Sequence, residues 1–155
     1  MRRYLIPPVW FLLGIACELV LARRAPIAPV LPPPLHWIGA VVIVAGFVIT
    51  NWAVIWFKRK KTGLLPFTPT TALVVEGPYR FTRNPDYLGI ALVLTGLALW
   101  LGVASPLLVP PVIVAVIHHM FVLPEEAHME RAMGSEYLAY KSRPSLALTA
   151  TSVPS

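Results

Sequence analysis

Charge is scarce in this chain. Asp, Glu, Lys and Arg make up 13% of its 155 residues and hydrophobic residues 57%, whereas a soluble domain carries about 25% charged residues. The deficit excludes a large water-facing surface and points to lipid as the surrounding medium. Cysteine is nearly missing too. The single Cys17 rules out an intrachain disulfide framework and any multi-cysteine metal site; within its apolar run it reads as a small packing residue. Acidic residues are the rarer sign, 7 against 13 basic, for a net charge of +6. With no soluble body to present a basic face, that excess does not imply nucleic acid. Basic residues beside apolar segments orient a chain in the bilayer and meet anionic headgroups.

What is abundant is apolar sequence, punctuated by 17 prolines. A helix needs roughly 20 apolar residues to cross a bilayer core of about 30 Å. Leu35 to Phe57 holds no charged residue. Tyr4 to Ala22 is a weaker span with Pro7, Pro8 and Glu18 inside it, and Met1-Arg2-Arg3 ahead of it resembles a signal-peptide start. No small-x-small cleavage site with a soluble domain follows, so it reads as a retained first span. The run from Tyr87 to Leu123 is too long for one crossing. Gly102-Val103-Ala104-Ser105-Pro106 divides it into Asp86–Ala104 and Ser105–Leu123, with Pro110 and Pro111 expected to kink the latter.

Four crossings gather Arg2, Arg3, Lys58, Arg59, Lys60, Lys61, Arg80, Arg83, Arg131, Lys141 and Arg143 on one side, eleven of the 13 basic residues, with Arg23 and Arg24 opposite. The positive-inside rule makes that side, with both termini, cytoplasmic, as in a bacterial inner membrane. The expected fold is therefore an all-α integral membrane protein with four transmembrane helices plus a C-terminal amphipathic helix. In that last helix Met129, Met133, Tyr137 and Tyr140 recur opposite Glu130, Arg131 and Glu136. A single membrane-embedded domain spans 1–144, followed by a flexible tail over 145–155.

Between two apolar segments stands a polar and aromatic cluster running from Gly77 to Gly89, and Glu125-Glu126 follows 38 residues after Tyr87. The residues from Leu88 to Pro124 amount to about 55 Å of helix at 1.5 Å per residue, enough to cross and return as a hairpin. Arg83, Asn84, two phenols (Tyr79 and Tyr87) and the two carboxylates should then emerge as neighbours, a set suited to a zwitterionic or cationic ligand with a hydroxylated sugar. Capping offers a simpler account of each half. Asn84-Pro85 is a good helix start, and carboxylates after Pro124 favour a helix N-terminus.

Other polar residues are weighed the same way. Adjacent His118 and His119 point about 100° apart on a helix with no carboxylate one turn away on the same face, so packing or headgroup contact is favoured over a metal. His128, four residues beyond Pro124, is the candidate general base for an amine acceptor, or else a solvated surface histidine. Glu18 is an intramembrane carboxylate, a functional candidate by default or an interhelical hydrogen bond. The turn-rich segment from Gly63 to Thr71 leads toward the cluster, as an acceptor entrance or a plain linker.

At Gly77-Pro78-Tyr79-Arg80, Arg83-Asn84-Pro85-Asp86-Tyr87-Leu88-Gly89, Glu125-Glu126, and Gly134, Tyr137 and Tyr140, the chain resembles the integral membrane methyltransferases that include isoprenylcysteine carboxyl methyltransferases and phospholipid N-methyltransferases. The resemblance covers roughly Lys61 to Arg143. It implies S-adenosylmethionine as cofactor, with Gly77, Tyr79, Arg83, Asn84, Pro85, Tyr87, Glu125 and Glu126 as its site. Arg83 or nearby backbone would hold the carboxylate, the glutamates the ammonium or ribose hydroxyls, and Tyr79 and Tyr87 the adenosine. The acceptor would be lipophilic, a prenylcysteine-like carboxylate or a lipid amine. Three departures stand out: Asn84 where histidine is commoner, Asp86 where an apolar residue is usual, and no Arg-Trp pair after Tyr140. The last motivates an alternative, a non-catalytic scaffold of the same fold. A nicotinamide-dependent membrane reductase is a further alternative, for which more spans and more phosphate-binding basic residues are expected.

Overall fold

The structure, a computed structural model, describes residues 7–59 and 77–142, and within them the regular elements are helical. Helix α1 runs Pro7–Arg24 and α2 runs His36–Arg59. A short 3-10 turn, Gly77–Arg80, precedes α3, Pro85–Leu101. A second one, Ser105–Leu108, leads into α4, Val109–Ile117. A π-helical segment, His118–Val122, joins α4 to α5, Leu123–Met133; α6 is Ser135–Lys141. Arg2, Arg3, Lys60, Lys61, the 63–71 segment, Arg143 and the 145–155 tail lie outside the described residues.

The stretches Pro33–Trp56 and Ser105–Met133, of 24 and 29 residues, are long and apolar enough to cross a membrane. Among the described residues that is two, against the four expected. α3 is apolar but has 17 residues, and α1 carries Glu18, Arg23 and Arg24 within its 18.

The α2–α3 pair is by far the most extensive helix contact, and glycine makes it possible. Gly39 faces Gly96, and Gly46 faces Gly89, in antiparallel register; on each helix the two glycines are seven residues, two turns, apart. A Cβ on Gly39 would lie 2.5 Å from the Gly96 carbonyl oxygen, and one on Gly46 2.8 Å from that of Gly89. Backbones this close replace side-chain interdigitation with direct main-chain packing, the usual driver of helix association where the solvent is itself apolar. Outward, α2 exposes Trp37, Val41, Val44, Phe47 and Val48, a surface only lipid or another apolar body accommodates.

α1 packs on α3 and α4, with Gly14 against Leu94 and Ile113. The core they share is Leu94, Val109, Ile113, Ile117, Phe121 and Val122, flanked by Trp10, Phe11 and Tyr87. Glu18 is fully buried in α1, and neither of its carboxylate oxygens has a hydrogen-bond partner. Cys17 is exposed, not packed inside. At the end away from the polar cluster, residues 28–30 pair with 102–104 (Val30 N–H to Gly102 O, 2.9 Å; Ala104 N–H to Ala28 O, 3.1 Å), and Trp37 stacks edge-on against Trp100 at 5.1 Å.

Three expectations change in the last third of the chain. Pro110 and Pro111 sit in the first turn of α4, where missing N–H groups cost little, instead of kinking it. Helix geometry runs unbroken from α4 through the π segment into α5, so Glu125 and Glu126 do not cap a free N-terminus. Pro124 explains the π segment: its ring would collide with the carbonyl four residues back, at Met120. The wider turn, closed by Leu123 N–H to His118 O, relieves that collision. Finally, the C-terminal amphipathic helix is two helices, broken at Gly134. Its φ of 55° and ψ of −126° suit glycine alone, and a Cβ there would meet nothing within 4 Å, so conformation and not space selects the residue. The side chains of Glu136 and Tyr140 lie outside what is described.

Candidate active site

The geometry of the fold brings the two polar clusters together. α3 begins at Pro85, with Asn84 at the N-cap position, so Arg83 and Tyr87 flank its first turn. α5 returns to the same end. Tyr87 donates its hydroxyl hydrogen to Glu125 Oε2 at 3.3 Å, and Arg83 Nε faces Glu126 Oε1 at 3.4 Å without hydrogen-bond geometry. The Arg83 and Glu126 side chains are 11% and 9% exposed, so water screens the pair weakly.

Lys141, at the end of α6, completes the network. Its Nζ lies 2.6 Å from Glu130 Oε1 and 3.2 Å from Glu126 Oε2, while Arg83 Nη1 donates to the Lys141 carbonyl at 2.9 Å. The hydrogen bond to Glu130 is the main influence raising the Lys141 pKa, opposed by burial and reinforced by Glu126; Lys141 is thus a cation at physiological pH. A guanidinium at the carboxyl end of α6 also meets the negative end of its dipole. Sequence reasoning counted Lys141 only as a headgroup-side charge, because a lone lysine near a membrane surface carries no sign of a partner 15 residues upstream at Glu126.

The other expected site residues divide. Asn84 makes no side-chain cap; with Tyr87 it lines a recess closed by Val114, Ile117, His118 and Val122, about 260 Å³ out to its open mouth. Pro85 is buried at the first position of α3. Tyr79 is buried elsewhere, against Ala53 of α2, and Gly77, at φ 62°, packs under the Trp56 indole. These two therefore seat the turn before Arg83 and do not line the recess. His128 is exposed on α5 and is not part of that lining. His118 is, and its Nδ1 is buried without a partner. The reasoning from adjacent histidines on a regular helix missed it, since a π turn shifts the facing of each residue. Among the described residues no group of three metal-ligating side chains converges.

Tyr87→Phe isolates one contact. It leaves Glu125 without its phenol donor, and a loss of about 1 kcal/mol of stability is expected, read as a modest drop in the unfolding temperature of detergent-solubilised protein.

A family model described as phospholipid methyltransferase matches residues 34–136, well over half of the chain and both polar clusters with it. The chain belongs to the phospholipid methyltransferase family. No curated protein and no solved structure matches it. Membership indicates a methyltransferase with a lipid-related substrate and, with the two long apolar helices, a membrane protein. The phospholipid methyltransferase match begins ahead of α2 and ends in α6, leaving α1 and Lys141 outside it.

Proposed function

We propose that this chain transfers a methyl group from S-adenosylmethionine to a lipophilic acceptor at the cytoplasmic face of a bacterial-type inner membrane. The observation that carries the reading is the convergence of Arg83, Tyr87, Glu125 and Glu126 at one end of the bundle, with Tyr87 also lining a mostly apolar recess. Their chemistry fits the cofactor. Arg83 matches its carboxylate; Glu126 Oε1, buried and without a hydrogen bond, and Glu125 match its ammonium and ribose hydroxyls. When bound there, it supplies an electrophilic methyl on a sulfonium. The chain's own part is to position the reactants and exclude water, which the walls Val114, Ile117 and Val122 suit. The acceptor enters laterally from the bilayer.

In this reading α1 and α3 also cross the membrane, making four spans, with both termini on the basic, cytoplasmic side. Arg59, lying 5.7 Å over the Trp56 ring, anchors the cytoplasmic end of α2. Calorimetry on detergent-purified protein tests the proposal. Micromolar binding of S-adenosylmethionine and S-adenosylhomocysteine is expected, followed by transfer of labelled methyl to a lipid extract. A binding-only scaffold is the second reading, favoured by the way Arg83 and Lys141 are already paired within the chain with Glu126 and Glu130. Cofactor binding with no turnover on any lipid selects it; no heat and no thermal stabilisation overturn both.

A further inference from the structure

One residue at the end of α6 reaches the polar cluster twice. The main-chain carbonyl of Lys141 accepts a hydrogen bond from Arg83 Nη1 at 2.9 Å. Its Nζ lies 3.2 Å from Glu126 Oε2 and 2.6 Å from Glu130 Oε1. An oxygen on the guanidinium and an ammonium on the carboxylate are the two contacts a free amino acid would make there. A guanidinium grips a carboxylate through two N–H groups along one edge, and here Nη1 is already engaged. The hold is of a kind that can be released. The Lys141 side chain is 37% exposed, and ion pairs with a solvated partner are weak. Lys141 is the last residue of α6, a seven-residue helix that packs chiefly on α5, and helix ends open at little cost. Tyr137 is buried and holds the first turn of α6, so release concerns the last turn alone. The family match ends at residue 136, ahead of Lys141.

We propose that Lys141 is a built-in occupant of the subsite for the cofactor's amino-acid end, and that the last turn of α6 gives way when the cofactor binds. The inference rests on the methyl-transfer reading above, which gives Arg83 the cofactor's carboxylate and Glu126 its ammonium, and adds regulation of that same site. The chain then competes with its own ligand. Lys141 supplies a carbonyl oxygen in place of the carboxylate and Nζ in place of the α-ammonium, from the solvent side of a Glu126 side chain that is 9% exposed. The arrangement seen here is the closed state. Only the open fraction of molecules is competent to bind, and apparent affinity is reduced by that fraction. Glu130, 35% exposed, keeps the ammonium beside the cluster and lies at hand to receive it again when Glu126 turns to the ligand.

Lys141→Met in the detergent-purified full chain tests this by calorimetry. It removes the ammonium and keeps the length of the side chain and the main-chain carbonyl. Freed of its competitor, the site is expected to bind S-adenosylhomocysteine about three- to tenfold more tightly, the share that two partly exposed ion pairs withhold. Methylthioadenosine, which has the nucleoside without the amino-acid end, is expected to gain nothing. Amide exchange on the wild-type protein supplies a readout that stands even if the variant does not fold. In the last turn of α6 the Ser142 N–H bonds the Leu138 carbonyl at 3.0 Å, and protection there is expected to fall on adding S-adenosylhomocysteine. Unchanged or weaker binding by Lys141→Met, an equal gain for methylthioadenosine, or protection that holds or rises overturns the assignment and leaves the methyl-transfer reading in place. If neither wild type nor Lys141→Met binds S-adenosylhomocysteine, that reading falls and takes the assignment with it.

Discussion

Glu126→Gln is expected to weaken S-adenosylhomocysteine binding by roughly ten- to a hundredfold. Glutamine keeps the shape of the side chain and one carbonyl acceptor but removes the charge. Glu126 faces Arg83 Nε at 3.4 Å and Lys141 Nζ at 3.2 Å, with its own side chain 9% exposed. Hydrogen bonds to charged groups contribute about 1.5–3 kcal/mol, which is that range of affinity. The substitution also leaves two cations without their shared counter-ion, and breaking a buried pair from one side costs about 3–5 kcal/mol; Lys141 is partly solvated, so the lower end applies. Calorimetry and thermal unfolding separate the two effects. Glu130→Gln is the control, because it too removes a Lys141 contact, at 2.6 Å, but from a side chain 35% exposed. It should lower stability slightly and affinity less than Glu126→Gln. A destabilised Glu126→Gln protein with unchanged affinity would reduce Glu126 to a structural ion pair and sink the site assignment.

The meeting of Arg83 and Tyr87 with Glu125 and Glu126 was legible in the sequence, because an apolar run of nearly twice a membrane's thickness has to double back. What the sequence obscured has a common cause: each feature depends on one residue inside an otherwise regular pattern. Pro124 follows an apolar run and reads as a boundary, yet the helix passes through it by widening to a π turn. Gly134 interrupts an amphipathic periodicity that continues on either side, so the period hides the break. Asn84 has the right identity and position for a cap but no capping bond, since the alternative, facing the recess, is a tertiary outcome. Tyr79 belongs to the same motif as Arg83, but motif membership does not show that Tyr79 packs on Ala53 of α2 while Arg83 faces Glu126. The glycines of α2 and α3 were in plain view at seven-residue spacing. A hydropathy window averages over them, and their meaning appears only when the two helices are set in register.

That register makes the second large effect. Gly39→Ala and Gly46→Ala are each expected to reduce sharply the yield of folded, monodisperse protein, at a cost of about 1–3 kcal/mol for overpacking. In both cases the obstacle is backbone: the Gly96 oxygen and Trp100 nitrogen at 2.5 Å from a Cβ on Gly39, and the Gly89 oxygen at 2.8 Å from one on Gly46. A flexible side chain could swing aside, but a helix backbone must move as a unit, which opens the seam and forfeits its close contacts along several turns. Val44→Ala, at a position 60% exposed on the outer face of α2, is expected to be nearly neutral. The two glycine variants should differ in what they do to ligand binding. Gly39 lies at the Trp37–Trp100 end, far from the polar cluster, so the folded fraction of Gly39→Ala should bind S-adenosylhomocysteine normally. Gly46 abuts Gly89, two residues from Tyr87, and displacement there moves the first turn of α3, with Tyr87 on it, away from Glu125. Gly46→Ala should therefore lose affinity as well as yield. Equal affinities in the two folded fractions would mean that the start of α3 is held by the turn at Gly77–Arg80 and not by its packing on α2.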